Sequence, residues 1–161
     1  MKELHSYLND HLAGSVGALE LIAHWVHDQR GEPLGDFFAE TEREIKADQD
    51  VLRDVMRSLG VEESKVRKAG AWAAEKLGRA RLIIAGEESG RLGLVLTLEG
   101  LIVGVTGKKL LWRALAATNL PQLNGYDFEE LQRRAEQQIE RIEAERMRAV
   151  IEAFAGTNSS R

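Results

Sequence analysis

Leu92-Gly93-Leu94-Val95-Leu96-Thr97-Leu98-Glu99-Gly100-Leu101-Ile102-Val103-Gly104-Val105-Thr106-Gly107 is a nearly unbroken apolar run of sixteen residues, bracketed by Arg91 and Lys108. Whether it crosses a bilayer or fills the middle of a bundle decides the fold. A bilayer asks for about 20 apolar residues, and Glu99 at the centre of the run would carry a cost there. The stretch therefore predicts a buried central helix, apolar around most of its circumference. Gly93, Gly100, Gly104 and Gly107 fall on one side of it. Each costs about 1 kcal/mol relative to alanine in a helix interior, so close packing of a neighbouring helix along that stripe is expected. The Gly100-x-x-x-Gly104 spacing signals dimerisation only in a membrane helix.

Outside this run the chain is written in Ala, Leu, Glu, Arg and Lys, with only two prolines, and no β-alternation competes with helical spacing. A first helix is predicted from about Lys2 to Gln29, ended by Arg30-Gly31-Glu32-Pro33-Leu34-Gly35, with Asp36 placed to cap a second helix from about Phe37 to Leu59. Gly60 closes the second. The third runs to about Ala117, and after the Thr118–Gly125 loop a fourth spans about Tyr126 to Phe154. Between Gly60 and Gly90, Val66, Ala69, Trp72, Ala73 and Leu77 keep helical spacing, so this connection is expected to carry a short helix of its own.

Short links within each helix pair favour antiparallel neighbours, whereas the long middle connection can run the length of a bundle and start the third helix where the second started. The fold class expected is all-α: a ferritin-like four-helix bundle with one long crossover carrying an extra short helix. One helical bundle domain is assigned to residues 1–155 and a disordered C-terminal tail to 156–161.

Composition narrows the functional classes. The 161 residues carry 22 Lys and Arg against 26 Asp and Glu, a formal charge of −4, which argues against general nucleic-acid coating. Absence of cysteine excludes disulfides, iron–sulfur clusters, cysteine zinc sites and thiol nucleophiles. Met1-Lys2-Glu3-Leu4-His5 has no apolar signal core, and a cytoplasmic location is expected. Neither a Ser-His-Asp signature nor a phosphate loop is present.

Turning each helix by about 100° per residue places one polar group near the middle of each apolar face. On the first helix His11 joins Leu4, Leu8, Ser15, Leu19, Ile22 and Val26; on the second Asp48 and Thr41 join Phe37, Ile45, Leu52, Val55 and Leu59. On the third Glu99 is flanked by Val95, Ile102 and Thr106, and on the fourth Gln138 by Phe128, Leu131, Ala135, Ile142 and Ala149.

Leu98-Glu99-Gly100-Leu101 followed by Gly107-Lys108-Lys109-Leu110-Leu111-Trp112 resembles the third helix of ferritins. Over about residues 4–155 the chain resembles the ferritin-like superfamily, and more closely an uncharacterised group of small bacterial ferritin-like proteins. That resemblance implies a di-iron centre in which Glu99 would be a ligand. The other ligand positions depart from it: His11 stands where the first helix should carry Glu, Ile45-x-x-Asp48 and Ala135-x-x-Gln138 stand where Glu-x-x-His is required, and Glu44 is displaced by one residue.

The expected function is accordingly that of a non-enzymatic bundle with a degenerate or lost di-iron site, acting as a structural or interaction module, with no cofactor and as a homodimer. His11, Thr41, Asp48, Glu99 and Gln138 would then form a core polar network. The alternative is a mononuclear metal-binding or oxidative-stress protein holding one iron, manganese or zinc ion through His11, Asp48 and Glu99. A second alternative is an anionic-partner binder using Lys65, Arg67, Lys68, Lys76, Arg79 and Arg81. Nucleic acid and membrane are not the expected partners. Glu20, His24 and His27 have surface-ligand spacing but fit a solvated face. Glu129 with Arg133 and Glu130 with Arg134 have the order of stabilising surface pairs. The homodimer rests on Trp25, Trp72 and Trp112, more aromatic surface than one small bundle is expected to hide.

Overall fold

A computed structural model describes residues 2–64 and 90–155. The crossover helix expected between Gly60 and Gly90, its six basic residues Lys65, Arg67, Lys68, Lys76, Arg79 and Arg81, Trp72 and the 156–161 tail lie outside the described residues.

Four long helices form the bundle: α1 (Lys2–Asp28), α2 (Pro33–Ser58), α3 (Gly90–Ala117) and α4 (Phe128–Phe154), with a short 3-10 turn at Pro121–Leu123 between α3 and α4. Two starts differ from expectation. The second helix begins at Pro33 rather than Phe37, because proline at the first helical position lacks an N–H that would have been unpaired anyway. Asp36 thus sits inside the first turn, where its charge favours the helix dipole. Gly35 is buried in that turn because a Cβ there would run into the Gln29 carbonyl. The fourth helix begins two residues later than expected, at Phe128, and Asp127 accepts the Glu130 backbone N–H at 2.9 Å, the N-cap bond that an Asp-x-x-Glu sequence can supply.

At its other end α2 stops at Ser58, and two residues on stands Gly60, whose φ of +65° is costly for a residue with a Cβ. This lets the Val61 and Gly60 N–H groups bond back to Met56 and Arg57 carbonyls.

Side-chain contacts fix the helix directions. Asn9 near the start of α1 bonds Glu62 and Ser64 just past α2, while Trp25 near its end stacks on Phe38 near the start of α2, so α1 and α2 are antiparallel. Arg91 reaches the Glu152 carbonyl and Trp112 stacks on Phe128, so α3 and α4 are antiparallel too. Trp25 donates to Thr97 at 3.1 Å and Gly107 lies near His11, which makes α1 and α3 antiparallel. Hence α2 and α3 run the same way, so the end of α2 and the start of α3 lie at opposite ends of the bundle. This up-down-down-up order is consistent in architecture with ferritin-like bundles. Among the described residues no helix is long and apolar enough to cross a membrane.

The interior divides into two apolar clusters. One contains Leu8, Leu12, Leu52, Val55, Met56, Leu111, Trp112, Leu115 and Phe128. The other contains Ile22, Trp25, Phe38, Ile45, Val95, Leu98, Leu101, Val105 and Ile142. Trp25 and Trp112 are both buried, at 8% and 1% exposure, so neither supplies the aromatic surface on which pairing of two chains was expected to rest. Polar residues lie in a waist between the clusters.

Candidate functional site

The waist is organised by α2 and α4, the two helices whose charged and apolar residues segregate most cleanly. Asp48 is carried inward by the stripe of Thr41, Ile45, Leu52 and Val55, all buried. Gln138 comes in between Leu131, Ala135 and Ile142, also buried. These placements match the apolar faces read from sequence.

Asp48 is 4% exposed and is held by three donors from two helices. Lys108 of α3 donates its ammonium to Oδ2, Arg134 of α4 donates to Oδ1 at 2.9 Å, and the Gln138 amide donates to Oδ2 at 3.3 Å. Lys108 also donates to the Gln138 side-chain oxygen. An unpaired charge in such a place would cost several kcal/mol; here each charged group has a hydrogen-bonded partner. Burial still pulls the Lys108 pKa below the ordinary lysine value, with Asp48 opposing that shift.

Glu44, one turn before Asp48, pairs with Arg141 on α4 and closes the outer edge of the same α2–α4 seam. Neither Lys108 nor Arg134 belonged to the expected site. Arg134, expected to pair with Glu130, turns inward to Asp48, and Glu130 pairs instead with Arg133 at 2.6 Å.

His11 reaches the waist from α1. It is half-buried, meets the Tyr7 ring edge-on at a centroid distance of 4.6 Å, and has its pKa lowered by burial, with Asp10 opposing. Beside it Gln49 donates to Ser15 at 2.8 Å, and Ser15 donates to the Leu12 carbonyl.

Two expected members are elsewhere. Thr41 is buried but spends its hydroxyl on the Phe37 carbonyl of its own helix, at 2.9 Å. Glu99 is exposed and lies 3.4 Å from Arg146, whose guanidinium forms a two-pronged contact with Glu143 at 2.6 and 2.7 Å. That contact holds the Glu143 pKa below its ordinary value.

The five-residue network of His11, Thr41, Asp48, Glu99 and Gln138 is therefore corrected to a cluster of Asp48, Lys108, Arg134 and Gln138. The physical reason lies in the register of α3. Lys108 follows Glu99 by nine residues, about 900° of helix or half a revolution beyond two full turns, so the two side chains leave from opposite sides. The side facing the bundle carries Thr97, Leu101 and Lys108, and Thr97 is the buried polar residue of the apolar run, accepting from Trp25 and donating to Gly93.

Among the described residues, those at the waist do not fit a di-iron centre, which needs several carboxylates and imidazoles converging from four helices. Where those would stand, the waist offers one deeply buried carboxylate with an ammonium and a guanidinium already on it. Unit charges 4 Å apart interact by about 4 kcal/mol at an effective dielectric constant near 20, so a dication at Asp48 would be opposed by roughly twice that from Lys108 alone. Nor do His11, Asp48 and Glu99 form one ligand set, since Glu99 is on the far side of α3. Among the described residues no three His, Asp or Glu side chains are grouped to hold a metal ion.

The expected stripe of close packing on α3 is realised only in part. A Cβ at Gly100 would touch Leu21 at 3.4 Å and one at Gly107 would lie 4.0 Å from His11, but one at Gly104 would meet nothing within 4 Å. A pocket of about 410 Å³ opens there between α1, α2 and α3. No family model, curated protein or solved structure matches the chain.

Proposed function

We propose that this chain is a non-enzymatic, ferritin-like bundle in which an internal ion-pair cluster has taken the place of a di-iron centre, and that it serves as a structural or interaction module. The observation that carries this reading is the buried Asp48 carboxylate shared by Lys108, Arg134 and Gln138. A protonated lysine at the waist does electrostatically what a metal ion would do there: it neutralises inward-facing acceptors from α2 and α4 and ties the two helical hairpins together across the bundle. It does so without open coordination positions or redox chemistry.

Thermal unfolding in chelator and in Fe(II), Mn(II) or Zn(II), together with elemental analysis of protein purified without chelator, tests the reading. The expected outcome is one midpoint under all conditions and no stoichiometric metal. A midpoint that rises with one of these ions overturns it, because binding at a hundredfold excess over Kd stabilises by about 2.7 kcal/mol.

A further inference from the structure

Gln49 holds an amide oxygen that the fold leaves unused. The residue is 5% exposed and donates its side-chain N–H to the Ser15 hydroxyl at 2.8 Å. Ser15 spends its own proton on the Leu12 carbonyl at 2.6 Å, so towards Gln49 it can only accept, and this fixes which end of the amide is nitrogen. The Gln49 oxygen is thereby turned away from Ser15 and accepts no hydrogen bond among the described residues. Nor is it sealed in: among the described residues the one unpartnered side-chain polar atom cut off from solvent is the Trp112 indole nitrogen.

The accessible space against so buried a side chain is the pocket between α1, α2 and α3, which Gln49 lines together with apolar walls that include Ile45, Leu52 and Leu101. At about 410 Å³ it falls within the range of about 300–1,000 Å³ that small-molecule sites occupy. Gly14 and Gly104 line it from facing helices, and a Cβ on either would meet nothing within 4 Å. Alanine would fit at both positions and favour both helices. Packing therefore does not require these glycines, and what they contribute is open volume.

His11 stands one turn before Ser15 on α1 and lines the same space. Its Cε1, the atom between the two ring nitrogens, lies 4.0 Å from where a Cβ on Gly107 would be, so the nitrogen edge of the ring is turned towards α3. Neither nitrogen has a hydrogen-bond partner among the described residues. Burial holds the imidazole pKa below its ordinary value, so at pH 7 the ring is neutral and offers one donor and one acceptor.

We propose that the pocket binds a small, uncharged molecule with an apolar body and one hydroxyl group, the hydroxyl donating to the Gln49 side-chain oxygen and accepting from the His11 ring N–H. An oxygen that can only accept requires a donor from its ligand, which disfavours ketones, ethers and carboxylates. Asp10 and Asp48 against Lys108 and Arg134 leave no net charge at the site, and Asp48 is already held by both cations, so an ion would enter apolar walls without a counter-charge. An apolar body gains by displacing water from those walls.

Four naphthalenes substituted at one position separate these contributions: 2-naphthol, which donates and accepts; 2-methoxynaphthalene, which only accepts; 2-methylnaphthalene, which does neither; and the 2-naphthylmethylammonium ion, a charged donor. Equilibrium dialysis against the full chain, with chelator in every buffer, reads affinity independently of metal. The Gln49 side-chain amide resonance, assigned by its loss in Gln49→Met, reads the contact at the oxygen. 2-Naphthol is expected to bind once per chain, about tenfold more tightly than each of the other three, and to move the Gln49 resonance. In Gln49→Met it should lose its advantage over 2-methylnaphthalene while the hydrocarbon still binds, and His11→Phe should remove part of that advantage.

Gly104→Leu and Gly14→Leu fill the volume from opposite helices and should each weaken binding of 2-naphthol and 2-methylnaphthalene at least about tenfold with helical content unchanged. Where a leucine variant loses helical content, the Gln49→Met comparison decides. Absence of 2-naphthol binding to the wild-type chain overturns the proposal, as does binding of any other probe that equals it. Binding that survives both leucine variants, an advantage that survives Gln49→Met, or a Gln49 resonance that stays in place overturns it equally.

Discussion

Asp48 on α2 and Glu99 on α3 are carboxylates near the middles of their helices, and both were expected in the core. Asp48 is 4% exposed and bonded by two cations and an amide, whereas the Glu99 side chain is 49% exposed beside Arg146. The difference comes from the helices that carry them. On α2 charged and apolar residues alternate with helical period, so only one face can turn inward and Asp48 is on it. On α3 the apolar run leaves nearly every face equally fit for burial. The neighbours then choose, and the choice that brings Lys108 to Asp48 turns Glu99 out.

The largest expected effect breaks the waist. Asp48→Asn leaves Lys108 and Arg134 without a counter-charge, and urea unfolding should show a loss of about 3–5 kcal/mol. Lys108→Met should cost less, because Asp48 keeps Arg134 and Gln138 and the methionine stem refills the space. If the asparagine variant lost no more than an exposed pair does, the cluster would not hold the hairpins together.

Of intermediate size, and of opposite sign, is the effect expected at the wall of the pocket. Gly104→Ala should raise stability by about 0.5–1 kcal/mol, since its Cβ enters open space and the unfolded chain loses freedom. A decrease in the unfolding midpoint would mean that α1 approaches α3 more closely than the pocket allows.

The smallest effect sharpens the contrast with Asp48. Glu99→Gln should shift stability by no more than about 0.5 kcal/mol, with or without added metal, as expected for an exposed pair. A loss comparable to that of Asp48→Asn would put Glu99 back in the core.

The sequence by itself determined four helices, their approximate ends, the long middle connection and hence the bundle order, because glycine, proline and polar clusters punctuate helices locally. It also determined that Asp48 and Gln138 face inward, since α2 and α4 are amphipathic and a period of 3.6 leaves a single buried face. Tertiary structure decided the rest. The rotation of α3, and with it the burial of Lys108 and Thr97 and the exposure of Glu99, depends on which of several apolar faces meets α1, α2 and α4. Lys108 could be read along the chain only as the polar bracket of an apolar run; its place at the waist requires the carboxylate that Asp48 brings from a helix sixty residues away. The pocket has the same origin. A glycine stripe permits close approach but does not compel it, and whether α1 closes on Gly104 or stands off is decided by the side chains above and below.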